Sequence, residues 1–113
     1  MARRVNEMMT KGGFNIQSFA DGLAAWETLK TKARYDVLVV DNNLAGLSGL
    51  ELILRVRSIV HRRNLPIVMI SRDDVEKEAW RAGVDAYLRN TEAVDHLKGT
   101  IARILDERRD EEN

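Results

Sequence analysis

Two apolar runs dominate the chain, residues 35–40 and 66–70, continuous rather than alternating and rich in β-branched side chains. Such runs suit strands covered on both faces, as in a parallel sheet. A weaker strand is predicted over residues 14–19, where Phe14, Ile16 and Ser18 alternate with Asn15, Gln17 and Phe19, and another over residues 85–89. Helical periodicity fills the intervals. Asp21 is positioned to cap a helix running through Lys32, with Leu23, Trp26 and Leu29 as its apolar stripe. Ser48-Gly49-Leu50-Glu51 reads as a capping box, followed by Leu50, Ile53, Leu54, Arg57 and Val60 at helical spacing. A third helix is expected to start near Asp73 or Asp74, carry Val75, Ala79 and Trp80, and stop at Gly83 in a left-handed conformation. The last begins at Thr91 and displays Val94, Leu97, Ile101, Ile104 and Leu105, ahead of a charged segment, residues 106–113, expected to fray.

Strands and helices thus alternate in one domain covering residues 1–113, the pattern of a doubly wound α/β sheet. Ahead of the first predicted strand, residues 3–11 carry Val5, Met8 and Met9 at helical spacing, with Gly12-Gly13 as a stop. They read as a helix without the strand that should precede it.

Composition narrows the class. With 113 residues, 44% of them hydrophobic and 32% charged, the chain has the material for one core. No Cys is present, which removes disulfides and thiolate metal sites. The 18 Lys and Arg balance 18 Asp and Glu, so net charge offers no footprint for nucleic acid or an anionic membrane. No apolar run approaches the ~20 residues of a membrane span, and no secretory leader is evident, so a cytoplasmic location is expected.

Chemistry is expected at the carboxyl ends of the parallel strands, where loops converge with helix N-termini. There the sequence offers Asp41, Ser71 and the Tyr87-Leu88-Arg89-Asn90 segment. A carboxylate at a strand end can accept a phosphoryl group if cations offset the charge. Asn42 and Asn43 suit a turn, and Asn43 offers a metal only its backbone carbonyl. Asp73 and Asp74 read as partners of the following helix terminus. His61 and His96 lack companions at metal spacing and read as helix-surface residues, while Trp26 and Trp80 read as packing or interface residues. Gly46 and Gly49 form no phosphate loop. A dehalogenase-like phosphatase is disfavoured because Asn43 stands where its second acid would be, and a flavodoxin-like cofactor binder because its phosphate loop would follow the strand that is not found.

Four segments, in order, resemble the receiver domain of two-component response regulators: Ala20-Asp21-Gly22-Leu23-Ala24-Ala25, residues 41–49, Pro66-Ile67-Val68-Met69-Ile70-Ser71, and Gly83-Val84-Asp85-Ala86-Tyr87-Leu88. The resemblance implies a flavodoxin-like (CheY-like) α/β fold, a parallel sheet with helices on both faces, here with four strands and the first strand missing. It implies a non-enzymatic phosphorelay module in which a histidine kinase phosphorylates Asp41 with Mg²⁺ held by Asp41 and Asn43. Ser71 and Tyr87 then fall at the switch positions, with the partner surface near Trp80, Val84 and Tyr87. The chain departs from the family pattern at two points. The acidic pair ending the first strand has no counterpart, and the family's Lys and the Pro after it fall on Asn90 and Thr91. Phosphotransfer to Asp41 is therefore expected to be slow or absent. The alternative is a phosphorylation-independent pseudo-receiver that docks a kinase, a downstream signalling protein or its own copy, with no direct nucleic-acid or membrane contact. For the missing first strand, direct pairing of the flanking strands or a homodimer that fills the gap is favoured over a chain that begins internally.

Overall fold

A computed structural model describes residues 17–19, 21–89 and 94–112. Within these, α1 (Gly22–Leu29), β1 (Leu38–Asp41), α2 (Gly49–Ser58), β2 (Ile67–Ser71), α3 (Glu76–Ala82), β3 (Ala86–Arg89) and α4 (Val94–Glu112) follow one another. A short 3-10 turn, Val60–Arg62, follows α2. The strands form a parallel sheet in the order β1-β2-β3, with Leu38 opposite Ile67 and Val68 opposite Ala86. Most of the weak strand over 14–19 lies outside the described residues, and 17–19 carry no regular structure. The helix expected over 3–11 lies outside them too.

The continuous apolar runs are explained by the two faces they serve. Ile67 and Met69 pack with Leu38, Val40 and the buried residues of α1, α2 and α3 on one side. Val68 and Ile70 pack with Val37, Val39, Ala86 and the α4 residues Leu97, Ile101 and Ile104 on the other. Successive residues of a strand point to opposite faces, so both must be apolar when both are covered. Each such side chain contributes about 1.5–3 kcal/mol on burial.

Helix boundaries follow local hydrogen-bond chemistry. Asp21 accepts from the Leu23 and Ala24 amides and starts α1 as expected. The helix ends at Leu29 rather than Lys32, because the Thr31 hydroxyl donates to the Thr28 carbonyl at 2.6 Å and accepts from the Ala33 amide at 3.2 Å. Ser48 caps α2 by accepting from the Glu51 amide. The buried stripe of α2 is Gly49, Leu52, Ile53 and Val56; of the positions expected at helical spacing Ile53 is buried, whereas Leu54 and Val60 are exposed. In α1, Leu23 is likewise exposed, and Ala25 and Leu29 face the core.

The helix α3 starts at Glu76, later than Asp73 or Asp74, with Val75 at its N-cap making no side-chain cap. It stops at Gly83, whose φ of 108° is the left-handed turn expected there. The described part of α4 begins at Val94; Thr91 lies outside the described residues. This helix continues to Glu112, so residues 106–112 are helical rather than frayed, and Arg108 reaches Asp85 at 2.9 Å.

Two arginines knit the amino ends of the strands. Arg62 is only 5% exposed. Its guanidinium donates to the carbonyls of Leu29 and Thr31, each at 2.9 Å, and to that of Ala33, and it lies over the Tyr35 ring. Arg57 donates to the carbonyls of Gly83, Arg63 and Leu65 and pairs with Asp85 at 3.1 Å. Burial lowers the Arg57 pKa, Asp85 pulls it back up, and Arg108 adds a smaller lowering. Asp85 also accepts from the Ile67 amide at 2.8 Å.

Arg62→Ala strips a buried donor from three carbonyls and is expected to cost about 2–4 kcal/mol, read as a lower urea midpoint at unchanged slope. Arg62→Lys should recover only part, because one ammonium cannot span the same fork. Leu54→Ala, at an exposed site, is expected to stay within about 0.5 kcal/mol. Asp85→Ala leaves Arg57 and Arg108 facing each other without their carboxylate. We expect a loss of about 2–3 kcal/mol in the same unfolding experiment, discounted for partial exposure.

Candidate functional site

Asp41 is the last residue of β1, at the carboxyl edge of the sheet, and is half-buried. Its Oδ1 accepts from the Asn43 amide at 3.0 Å, so one carboxylate oxygen shapes the turn that follows. Asn42 holds that turn against α2: its carbonyl accepts from the Gly49 amide at 3.2 Å and its Oδ1 from the Leu50 amide at 3.2 Å. Gly49 fits this seam because it has no side chain. A Cβ there would lie 2.7 Å from the Asp41 carbonyl oxygen and 2.8 Å from the Asn42 Cα. The loop closes onto α1 through Gly22, whose amide donates to the Ala45 carbonyl at 2.8 Å. Asn43 is exposed, with its backbone beside the carboxylate.

Ser71 ends the neighbouring strand, one position beyond Ile70, the register partner of Asp41. It is buried, and its hydroxyl bonds within its own loop, accepting from the Asp73 amide at 3.0 Å and donating to the Asp73 carbonyl at 3.3 Å. This turn occupies the residues expected to open the third helix and delays its start. Tyr87, in β3, reaches the same loop. Its hydroxyl donates to the Asp73 carbonyl at 2.5 Å and accepts from the Val75 amide at 3.4 Å. Arg89, two residues on and therefore on the same face of β3, pairs with Asp74 at 2.7 Å and lies 4.0 Å from Glu76.

The structure thus gathers Ser71 and Tyr87 on one loop at the carboxyl edge, on the strand next to Asp41 and the strand beyond. Sequence reasoning missed the Asp73 carbonyl that both hydroxyls share, and the Arg89–Asp74 pair. Period-two spacing of Tyr87 and Arg89 held the signal for the pair; a backbone acceptor leaves none. Asn90 and Thr91 lie outside the described residues. Among the described residues no group of three or more His, Asp or Glu is arranged to hold a metal ion. His61 and His96 are exposed, and His61 shares a 2.8 Å hydrogen bond with the Thr31 carbonyl. Of the expected partner surface, Trp80 is exposed and Tyr87 half-buried, but Val84 is buried and unavailable to a partner. Among the described residues no helix is long and apolar enough to cross a membrane.

Known proteins resemble this chain in sequence and in fold. The chain is 32% identical over 110 residues to the chemotaxis protein CheY-3 of Vibrio cholerae, covering 94% of this chain and 84% of that protein. It is 32% identical over 92 residues to the chemotaxis protein CheY1 of Helicobacter pylori, covering 78% and 74%. Its fold matches a CheY-like receiver domain protein of Methanospirillum hungatei with a TM-score of 0.87 at 18% identity, over 97% of this chain and 88% of that one. It also matches the receiver domain of a Pseudomonas aeruginosa sensor histidine kinase, solved with a magnesium ion in its active-site cleft, with a TM-score of 0.84 at 21% identity, over 93% and 88%. The family model of the response regulator receiver domain matches residues 1–102. The α/β sheet with a strand-end Asp, and these matches over most of the chain, make it a member of the response regulator receiver domain family.

Proposed function

We propose that this chain is a non-enzymatic receiver module of two-component phosphorelay signalling, with Asp41 at the phosphoacceptor position and Ser71 and Tyr87 at the switch positions. One observation carries the reading: the Asp41 carboxylate ends β1 beside the strand that ends in Ser71, and the Ser71 and Tyr87 hydroxyls meet on the Asp73 carbonyl. A change in charge at Asp41 would be felt on the neighbouring strand end, and the loop there is the element that can move. The partners are a histidine kinase upstream and a signalling protein downstream.

Charge compensation sets the rate. A phosphoryl group brings about two negative charges, and each unit pair at ~4 Å repels by about 4 kcal/mol at an effective dielectric of ~20. Receiver relatives include one with magnesium in its active-site cleft. Magnesium demands near-octahedral oxygen ligation and usually takes one or two carboxylates with substrate phosphates. Among the described residues, Asp41 has no acidic companion at metal spacing, and the Asn43 carbonyl is the one further donor assigned to it. That set is short for Mg²⁺. Asn90, at the position of the family's Lys, brings no cation. Phosphotransfer to Asp41 is accordingly slow, and the module signals largely through binding.

A second reading, a phosphorylation-independent pseudo-receiver, is favoured by the clasp on the loop after β2. Tyr87 donates to the Asp73 carbonyl and Arg89 pairs with Asp74, contacts that involve no atom of Asp41. In this reading the surface around α3 and β3 is presented constitutively.

Acetyl phosphate with Mg²⁺, followed by phosphate-affinity electrophoresis, separates the two. The first reading expects slow labelling, on the order of 10²–10³-fold below a receiver with the full acidic set, abolished in Asp41→Asn. No label at all, with partner binding intact in Asp41→Asn, leaves the second. Tyr87→Phe removes one donor from the Asp73 carbonyl and one acceptor from the Val75 amide. It is expected to cost about 1 kcal/mol and to speed hydrogen exchange at Val75; an unchanged exchange rate would show that the clasp does not hold the loop.

A further inference from the structure

The neutral net charge conceals a strong segregation. Residues 28–34 and 55–63 contain Lys30, Lys32, Arg34, Arg55, Arg57, Arg62 and Arg63 and no carboxylate. The fold brings these two segments together at the amino edge of the sheet, away from Asp41. Arg62 donates to the Leu29 and Thr31 carbonyls, and His61 meets the Thr31 carbonyl at 2.8 Å. The Trp26 ring bridges them further up, with Lys30 5.9 Å and Arg55 5.8 Å from its centre. Arg57 and Arg62 are consumed by backbone carbonyls, and Arg57 also by Asp85. The others are exposed. Lys30 pairs with Glu27 at 2.9 Å, whereas among the described residues Lys32, Arg34 and Arg63 make no ion pair. Amid these cations Val60 is 77% exposed, and Leu54, beside Arg55 in sequence, is 57% exposed.

Exposed cations alone would suit any polyanion. Large apolar side chains in the same patch are useless to a phosphate backbone and cost solubility unless covered. Cations around apolar and aromatic side chains match a partner with the opposite pattern, carboxylates flanking an apolar stripe. We propose that the α1–α2 face, centred on Trp26 and Val60 and rimmed by Lys32, Arg34, Arg55 and Arg63, docks an acidic amphipathic segment of a partner protein. Among the described residues none of these side chains hydrogen-bonds or ion-pairs with the loop after Asp41, so docking does not depend on phosphorylation and gives the module a second point of attachment.

The probe is a synthetic amphipathic helical peptide with Glu on one face and Leu on the other, titrated into the full chain and followed by amide and indole shifts. The proposal expects saturable shifts at the Trp26 indole, Lys32, Arg34 and Arg63. Affinity should fall about ten-fold or more in Arg34→Glu/Arg63→Glu and weaken with added salt. Val60→Ser should weaken the peptide several-fold with all cations in place. Both substitutions are at exposed positions, and circular dichroism checks that the variants fold. Shifts elsewhere than the patch, or affinity indifferent to charge reversal, would overturn the proposal. Equal binding by Val60→Ser would overturn the amphipathic assignment, as would tighter saturation of the patch by a single-stranded oligonucleotide of matched charge. Self-association at low salt, abolished by Arg34→Glu/Arg63→Glu and without peptide binding, would assign the face to a second copy instead.

Discussion

The sheet depends on the ion pair between Arg57 and Asp85. One oxygen of Asp85 accepts from the Ile67 amide and from Arg57, the other from Arg108. The Asp85 amide in turn donates to the Ile67 carbonyl at 2.7 Å. The carboxylate therefore fixes where β3 begins relative to β2. Arg57 carries the same constraint into α2 by binding the carbonyls of Leu65 and Gly83. A parallel pair has no hairpin turn to set its register, and a slip of one residue exchanges the two faces of the strand. Here that slip would send Ile67 and Met69 to the α4 side and would remove Tyr87 from the loop after β2.

The pair thus acts at a distance on the candidate site. Asp41 and Ser71 end their strands, Tyr87 of β3 reaches the loop after Ser71, and the amino ends of these strands are tied by Arg57, Asp85 and Arg62. Strands of four or five residues transmit position as short rigid rods, so holding one end aims the other. At the amino edge Arg57 pairs with Asp85, and Arg62 is buried against backbone carbonyls, contacts that specify structure. The carboxyl edge leaves Asp41 without acidic companions among the described residues. Buried ion pairs contribute modestly to net stability, but leaving one partner unpaired is costly, which suits them to specifying one arrangement against its competitors.

The identity of β1, β2 and β3, the order of the helices between and after them, and the positions of Asp41, Ser71 and Tyr87 were legible because apolar runs and strand ends are local signals, whereas the strand expected over 14–19 carries no regular structure at 17–19. The capping roles of Asp21 and Ser48 and the left-handed stop at Gly83 were legible for the same reason. Where a polar side chain chose a distant partner, local reading failed. Arg57 fell at helical spacing with Leu50 and Leu54 and was grouped with them, yet its stem leads to the carbonyl of Gly83. Asp74 looked like a helix opener and instead bonds Arg89, fifteen residues on. Thr31 ended a helix that its neighbours' propensities would have carried onward. Net charge was the least informative quantity, since a sum of zero erased the separation between the α1–α2 face and the acidic stretches elsewhere.

That separation bears on how such a module would work under the proposed reading, in which Asp41 accepts a phosphoryl group only slowly. A receiver that relies on phosphoryl chemistry must spend charges near Asp41, where metal and cation stabilise the product. In this chain Lys30 and Arg55 lie over the Trp26 ring, and among the described residues Lys32, Arg34 and Arg63 of the same two segments make no ion pair. Electrostatic attraction across such a face raises the rate of encounter more than the final affinity, while the apolar centre slows release. The same fold therefore presents cations around an aromatic ring at one edge and a loop clasped by Tyr87 and Arg89 at the other, joined by short strands.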